Sequence, residues 1–212
     1  MSQITTIAVL GGGGRTGRFL LSKLLSQNYR VKVLLRSIEN FEVAHPLLEI
    51  VKGDATDPSR VSKLLEDCRA VISTIGQRKN EPLVASAATG NTLNAMAEHK
   101  IRRYILLGGV NIDTPSDKKD RQTLAATEWM KANFPLIHEE RQKEYALLSE
   151  SHLDWTLVRV PTIEFTDKKN ALLVDVNDCP GSKITAGRIA DFLIQQLDDA
   201  RFLRQSPFIA SE

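Results

Sequence analysis

Only two cysteines, Cys68 and Cys179, occur among the 212 residues. Two are too few for a disulfide framework, and they have no metal-ligand spacing. Both are expected as reduced thiols in a cytoplasmic protein, Cys68 as a small buried hydrophobe, and no metal site is expected. Charge of one sign is lacking too: 28 Lys and Arg against 26 Asp and Glu leave a net +2. That is short of the electrostatic footprint that nucleic-acid binding needs. No apolar run reaches the roughly 20 residues of a membrane span, because Lys, Arg or Asp interrupts each one. Met1-Ser2-Gln3 leads directly into an apolar run, without a basic segment or a small-residue cleavage site. No secretory signal is therefore expected, and the mature protein is expected to start here. There is no internal repeat, low-complexity tract or linker rich in Gly, Ser or Pro, so a single domain over 1–212 is expected. What is present, 42% hydrophobic and 25% charged residues, is the ordinary composition of a folded protein.

Ile4 to Leu10 is a β-branched apolar run halted by Gly11, the pattern of a strand buried on both faces. From Gly14 to Gln27, Leu20, Leu21, Leu24 and Leu25 recur at helical spacing. Further strands are predicted at Arg30 to Arg36, Leu48 to Val51, Ala70 to Thr74 and Arg103 to Leu107. Helices are predicted at 57–67 and 83–99, the first opened by Asp57-Pro58, an N-cap followed by proline. This alternation predicts right-handed βαβ units in an α/β, doubly wound parallel sheet with helices on both faces. Residues 111–212 are less regular and are read as a small substrate-side portion. They comprise a polar stretch at 111–122, helical patterning over 123–150, strands at Thr156 to Val160 and Ala171 to Val174, and a helix from Thr185 to Leu197. The polar residues 111–122 are read as a candidate mobile lid.

Gly11-Gly12-Gly13-Gly14-Arg15-Thr16-Gly17 joins the first strand to the first helix. Gly11 permits the tight turn, Gly14 lets a pyrophosphate approach the backbone, and Gly17 lets helix and sheet pack closely. The helix N-terminus then offers unpaired N–H groups to phosphate, so Gly11, Gly14, Arg15, Thr16 and Gly17 are expected to hold a dinucleotide. No Gly-Lys-Ser or Gly-Lys-Thr follows, which excludes an ATPase loop. Strand two ends at Arg36, where NAD sites carry an acid for the ribose 2′-hydroxyl and NADP sites an arginine for the 2′-phosphate. A guanidinium pairs with phosphate through two charge-assisted hydrogen bonds. NADP(H) is therefore favoured over NAD(H), with Ser37 adding a hydroxyl; the alternative is that Arg36 is a solvated strand-end cation. Arg15 is expected to reach the same phosphate or to stack near the adenine. Asp54 and Ala55 follow strand three, where the adenine edge would lie. Asp54 either accepts from the adenine amino group or only holds the turn, while Asp57 caps a helix. Thr74 and Gly76 after strand four would pass the ribose, and Gly108 and Gly109 after strand five would lie nearer the nicotinamide.

These residues, with Val31 to Arg36, Gly53 to Asp57, Gly76 to Asn80 and Ser151 to Pro161, resemble the atypical short-chain dehydrogenases/reductases of the NmrA-like NAD(P)-binding group. Nearly the whole chain is covered, and the similarity is greatest to the small flavin reductase (biliverdin-IX-beta reductase) branch. The resemblance implies a Rossmann fold, NAD(P) as cofactor, and Pro161 and Thr162 running beside the nicotinamide. The family's core reductases carry a serine after strand five and a Tyr-x-x-x-Lys on the following helix. Here Gly109 stands for the serine, Ile137 for the tyrosine and Arg141 for the lysine. The flavin-reductase branch also lacks the Tyr-Lys pair, and the Ser or Thr and His of its flat slot correspond here to Gly109 and Thr162.

For proton handling there remain His138, Tyr145, Glu139 or Glu140, with Arg78 and Asn111 on nearby loops. Histidine as a residue type serves as a general acid or base near neutral pH, but His138 lies in a charged helix and also reads as a surface residue. Tyr145 and Trp155 read as packing. Arg78 and His138 are thus the candidates for catalysis, and Arg78, Gly109, Asn111 and Thr162 those for a small, planar substrate. The leading expectation is an NADPH-dependent reductase of a flavin or quinone, cytoplasmic, monomeric or a small homo-oligomer, with no nucleic-acid or membrane partner. A non-catalytic NADP(H) redox sensor is the alternative. An epimerase or dehydratase is third, since 212 residues leave little room for that group's substrate domain.

Overall fold

The computed structural model describes residues 5–39, 41–78 and 81–211. Ile4 of the first predicted strand, and Lys79 and Asn80 of the Gly76 motif, lie outside them. The alternation of strand β1 (Thr6–Leu10) builds two cores. Ile7 and Val9 pack on one face with Leu20, Leu21 and Leu24 of helix α1 (Arg15–Ser26). Ala8 and Leu10 pack on the other with Val61, Leu64 and Leu65 of helix α2 (Pro58–Leu65). A strand buried on both faces is therefore apolar at every position.

Strands β2 (Arg30–Leu35), β3 (Leu48–Lys52), β4 (Ala70–Ser73), β5 (Arg103–Gly109) and β6 (Asp154–Val160) run parallel to β1 in the order β3-β2-β1-β4-β5-β6. This is the doubly wound arrangement, whose order reverses between β1 and β4. Helix α3 (Ala85–Glu98) shares the α2 face. The predicted helical stretch over 123–150 is two helices, α4 (Arg121–Asn133) and α5 (Pro135–Glu150). Phe134 between them leaves the helical region at φ −140°, as the residue before a proline is driven to do.

Beyond β6 come β7 (Thr162–Glu164), β8 (Leu172–Asp175), β9 (Lys183–Thr185), helix α6 (Ala186–Gln195) and β10 (Phe208–Ser211). β10 adds parallel to β6, whereas β8 pairs antiparallel with β10 at the sheet edge, so the sheet is mixed. β7 and β9 form a separate parallel pair. Neither this pair nor β10 is expected from the sequence pattern. Thr185 caps α6, accepting from the N–H of Arg188, and Asp57 caps α2.

The polar 111–122 stretch is pinned rather than free to act as a lid. Buried Lys119 donates to Val110 O at 2.8 Å and pairs with Asp113 at 2.6 Å, and Asp117 pairs with buried Arg159. Among the described residues, no helix is long and apolar enough to cross a membrane.

Candidate functional site: a cleft at the strand ends

A cleft of about 790 Å³ opens where β1, β2, β4, β5 and β6 end, at the reversal of strand order. Its floor is the glycine turn. Gly11 adopts φ +77°, and a Cβ there would lie 2.7 Å from the carbonyl carbon of Thr74. The Gly14 N–H donates to Gly11 O at 2.9 Å, curling the chain into α1. Gly14 is the N-cap of α1 and supplies no capping side chain, which leaves the first-turn N–H groups available to an anion. No acidic residue occupies that turn. Gly17 lies behind the turn, where a Cβ would sit 2.2 Å from Gly11 O. Around Gly76 a Cβ would meet nothing within 4 Å, so the cleft is open at that point. These features suit a diphosphate laid along the turn.

Arg36 lines the cleft at the end of β2. Its Nη1 lies 2.8 Å from Glu81 Oε2 and 3.9 Å from Asp54 Oδ2. The Glu81 hydrogen bond raises the guanidinium's pKa above its ordinary value and holds the Glu81 carboxyl below the usual range. Asp54 uses Oδ1 to accept from the N–H and hydroxyl of Thr56, and the backbone bond lowers its pKa. Asp54 therefore holds the turn and also faces Arg36. The Ser37 hydroxyl donates to Glu39, although Ser37 lines the cleft. Arg15 also lines the cleft. Its guanidinium lies 4.0 Å from the ring centroid of Phe165, across the opening.

Thr16, Ala55, Thr74, Gly108 and Pro161 also line the cleft, as do Arg78 and Gly109. Thr74 stitches β4 to β1 through its N–H, which donates to Leu10 O at 2.9 Å. Three other expected residues lie outside the lining. Asn111 is buried behind Gly109, with Oδ1 2.6 Å from where a Cβ on Gly109 would be, and its Nδ2 has no hydrogen-bond partner among the described residues. Thr162 is exposed and starts the β7–β9 pair. His138 is 8% exposed and does not line the cleft, so it is a buried side chain rather than the surface residue its charged surroundings suggest.

Residue spacing marks neither Arg141 nor Glu81, yet both line the cleft. Arg141 donates to Ile75 O at 2.7 Å and pairs with Glu144 at 2.6 Å. Its signal was its place at the family's lysine position. Glu81 is reached only through the turn after β4, which the Gln77 side-chain amide organises by donating to Glu81 O and Pro82 O.

Comparisons with known proteins agree with this geometry. The solved structure of a short-chain dehydrogenase/reductase from Veillonella parvula in complex with NADP superposes with TM-score 0.82 at 15% identity, over 99% of this chain and 95% of that one. A candidate NADH-flavin reductase from Streptococcus pneumoniae gives TM-score 0.80 at 20% identity, over 98% and 100%. At these identities the likeness is one of fold. Among curated proteins, the oxidoreductase swnR of Arthroderma benhamiae is 26% identical over 178 residues, 82% of this chain and 52% of that protein. An uncharacterized chloroplastic protein of Arabidopsis thaliana is 26% identical over 117 residues, 50% of this chain and 42% of that protein. The chain thus spans about half the length, or less, of the curated relatives it matches. Residues 11–200 match the NAD(P)H-binding family, and with the glycine turn, the strand order and the cleft on the page, the chain belongs to that family.

Proposed function

We propose that this chain uses NADPH to reduce a planar two-electron acceptor of the flavin or quinone type, without a Ser-Tyr-Lys set. One observation carries the reading. The cleft has an arginine seat at the β2 end and an apolar, glycine-rich end at Leu107, Gly108, Gly109, Val160, Pro161 and Ile163, and among the described residues its lining contains no tyrosine, histidine or lysine. Such a cleft suits an acceptor whose own conjugation takes up charge and whose proton comes from water. NADPH, when bound, supplies the hydride.

The protein's part is to hold and orient. Gly11, Gly14, Thr16 and the α1 N-terminus hold the diphosphate, with Gly17 keeping the turn tight. Arg36 and Ser37 take the 2′-phosphate, Asp54 and Ala55 border the adenine, and Thr74 and Gly76 pass the ribose. Gly108 and Pro161 flank the nicotinamide and keep water from it. Gly109, backed by Asn111, leaves room for a flat acceptor, with Arg78 as an anion contact at the rim. Over 1–212 the chain acts as one unit, with 111–212 on the acceptor side. The test is NADPH oxidation by purified protein with FMN or simple quinones. Turnover is expected, and none above background defeats the reading.

The same absence of tyrosine, histidine and lysine from the lining, among the described residues, favours a second reading, an NADP(H) sensor. It would bind one redox form of the cofactor strongly and consume none, so comparing affinities for NADP+ and NADPH beside the turnover assay separates the two.

A further inference from the structure

We propose that the Glu81 carboxylate is an internal competitor for the anion seat on Arg36, and that its hold sets how strongly the site prefers NADP(H) to NAD(H). The inference rests on the reading of Arg36 as the 2′-phosphate contact. Glu81 Oε2 lies 2.8 Å from Arg36 Nη1, and Asp54 Oδ2 lies 3.9 Å from the same nitrogen. The side chains of Arg36, Glu81 and Asp54 are 45%, 34% and 40% exposed, and all three residues line the cleft. A guanidinium grips a phosphate with two parallel N–H groups. Here one of its two terminal nitrogens already donates to a carboxylate.

The rest of the turn lets that carboxylate leave without loss of structure. Glu81 Oε1 is 3.5 Å from Arg78 Nη1, so a Glu81 that releases Arg36 keeps a cationic partner. The main chain of Glu81 is held separately, its carbonyl accepting from Gln77 Nε2 at 2.9 Å. A side-chain rotation therefore suffices. A 2′-phosphate, close to dianionic at neutral pH, outcompetes a single carboxylate for the guanidinium. A neutral 2′-hydroxyl does not. NAD(H) then binds with the Arg36–Glu81 pair intact, whereas NADP(H) must break it and settle near a displaced negative charge. Glu81 thus lowers affinity for the phosphorylated nucleotide alone.

Calorimetric titration of NADP+ and NAD+ into wild type, E81Q, R36Q and the double variant tests this. E81Q nearly preserves side-chain shape at a half-exposed site. It is expected to tighten NADP+ about threefold to fivefold, the range of a solvent-screened ion pair, to leave NAD+ unchanged, and to have no effect in the R36Q background. No change or weaker NADP+ binding in E81Q would make Glu81 a support for Arg36 rather than its competitor, and would overturn the proposal. So would equal tightening of both nucleotides. If R36Q itself leaves the ratio of the two affinities unchanged, the Arg36 reading fails and the inference falls with it. If R36Q shifts the ratio and E81Q does not, only the inference falls.

Discussion

Arg159, which has no exposed side-chain surface, meets Asp117 at 2.8 Å, Nη2 to Oδ1. The same guanidinium donates to Ile112 O and Ser206 O and lies 3.6 Å from the Phe208 ring centroid. One side chain on β6 thereby ties the 111–119 segment and the start of β10 to the sheet. Removing one partner of a buried ion pair leaves the other charge stranded, so D117A is expected to cost about 3–5 kcal/mol. Urea unfolding measures it, and an unchanged midpoint would show that the pair does not hold the segment.

Position 17 admits no side chain. A Cβ there would be 2.2 Å from Gly11 O and 2.7 Å from Gly12 Cα, backbone atoms that move only if the turn opens. G17A is expected to weaken NADPH binding by about tenfold or more, the effect of pushing the helix off the turn proposed to cradle the pyrophosphate. Fluorescence titration reads the loss, while circular dichroism is expected to show the sheet retained.

Reversing the charge at the end of β2 puts a third carboxylate beside Glu81 and Asp54. R36D is expected to lower NADP+ affinity by about tenfold to a hundredfold, the worth of charge-assisted hydrogen bonds, and to change NAD+ affinity far less. Calorimetry with both nucleotides decides. An unaltered preference would remove Arg36 from the cofactor site.

Alkaline pH is expected to destabilise the fold. Burial pushes the Cys68 thiol up to about 12 from an ordinary 9.0 and raises the buried Tyr104 hydroxyl above 10.0. Both groups bind their protons more tightly in the folded state. Their contribution is full below the unfolded values and is lost as pH rises through the folded ones. Urea midpoints should therefore fall progressively above about pH 9, with a shallower decline in C68A. A flat profile from pH 8 upward, with a matching C68A curve, would show that these groups do not carry the effect.

The first half of the chain was legible because its signals are local. Strands β1 to β5 are short apolar runs, Asp57-Pro58 announces α2, and the glycine turn names its own geometry. The second half hides its signals. The charged run around His138 reads as a solvated face, yet Glu140 accepts from the N–H and hydroxyl of Ser86, and Glu144 accepts from the Thr89 hydroxyl. These α3 partners bury polar side chains of α5 that no periodicity marks as inward. β10 is four residues long and exists because β6 and β8 flank it. At the site, the glycine, Arg36 and Asp54 positions were readable from spacing, whereas the roles of Glu81, Arg141 and Phe165 were not.

The residues from Gly11 to Gly17, and the arginine that closes the second strand, determine by themselves the tight strand-to-helix turn and the cationic strand end on which the proposed cofactor site rests, since backbone freedom and close approach are demands met within a few positions. Only the tertiary structure decides that Glu81 sits on Arg36, that Phe165 lies under Arg15, and that Arg159 is buried against Asp117. Those partners lie far apart in the chain, and charges at such separations find each other only after the whole sheet has met the entropy of closing the loops between them.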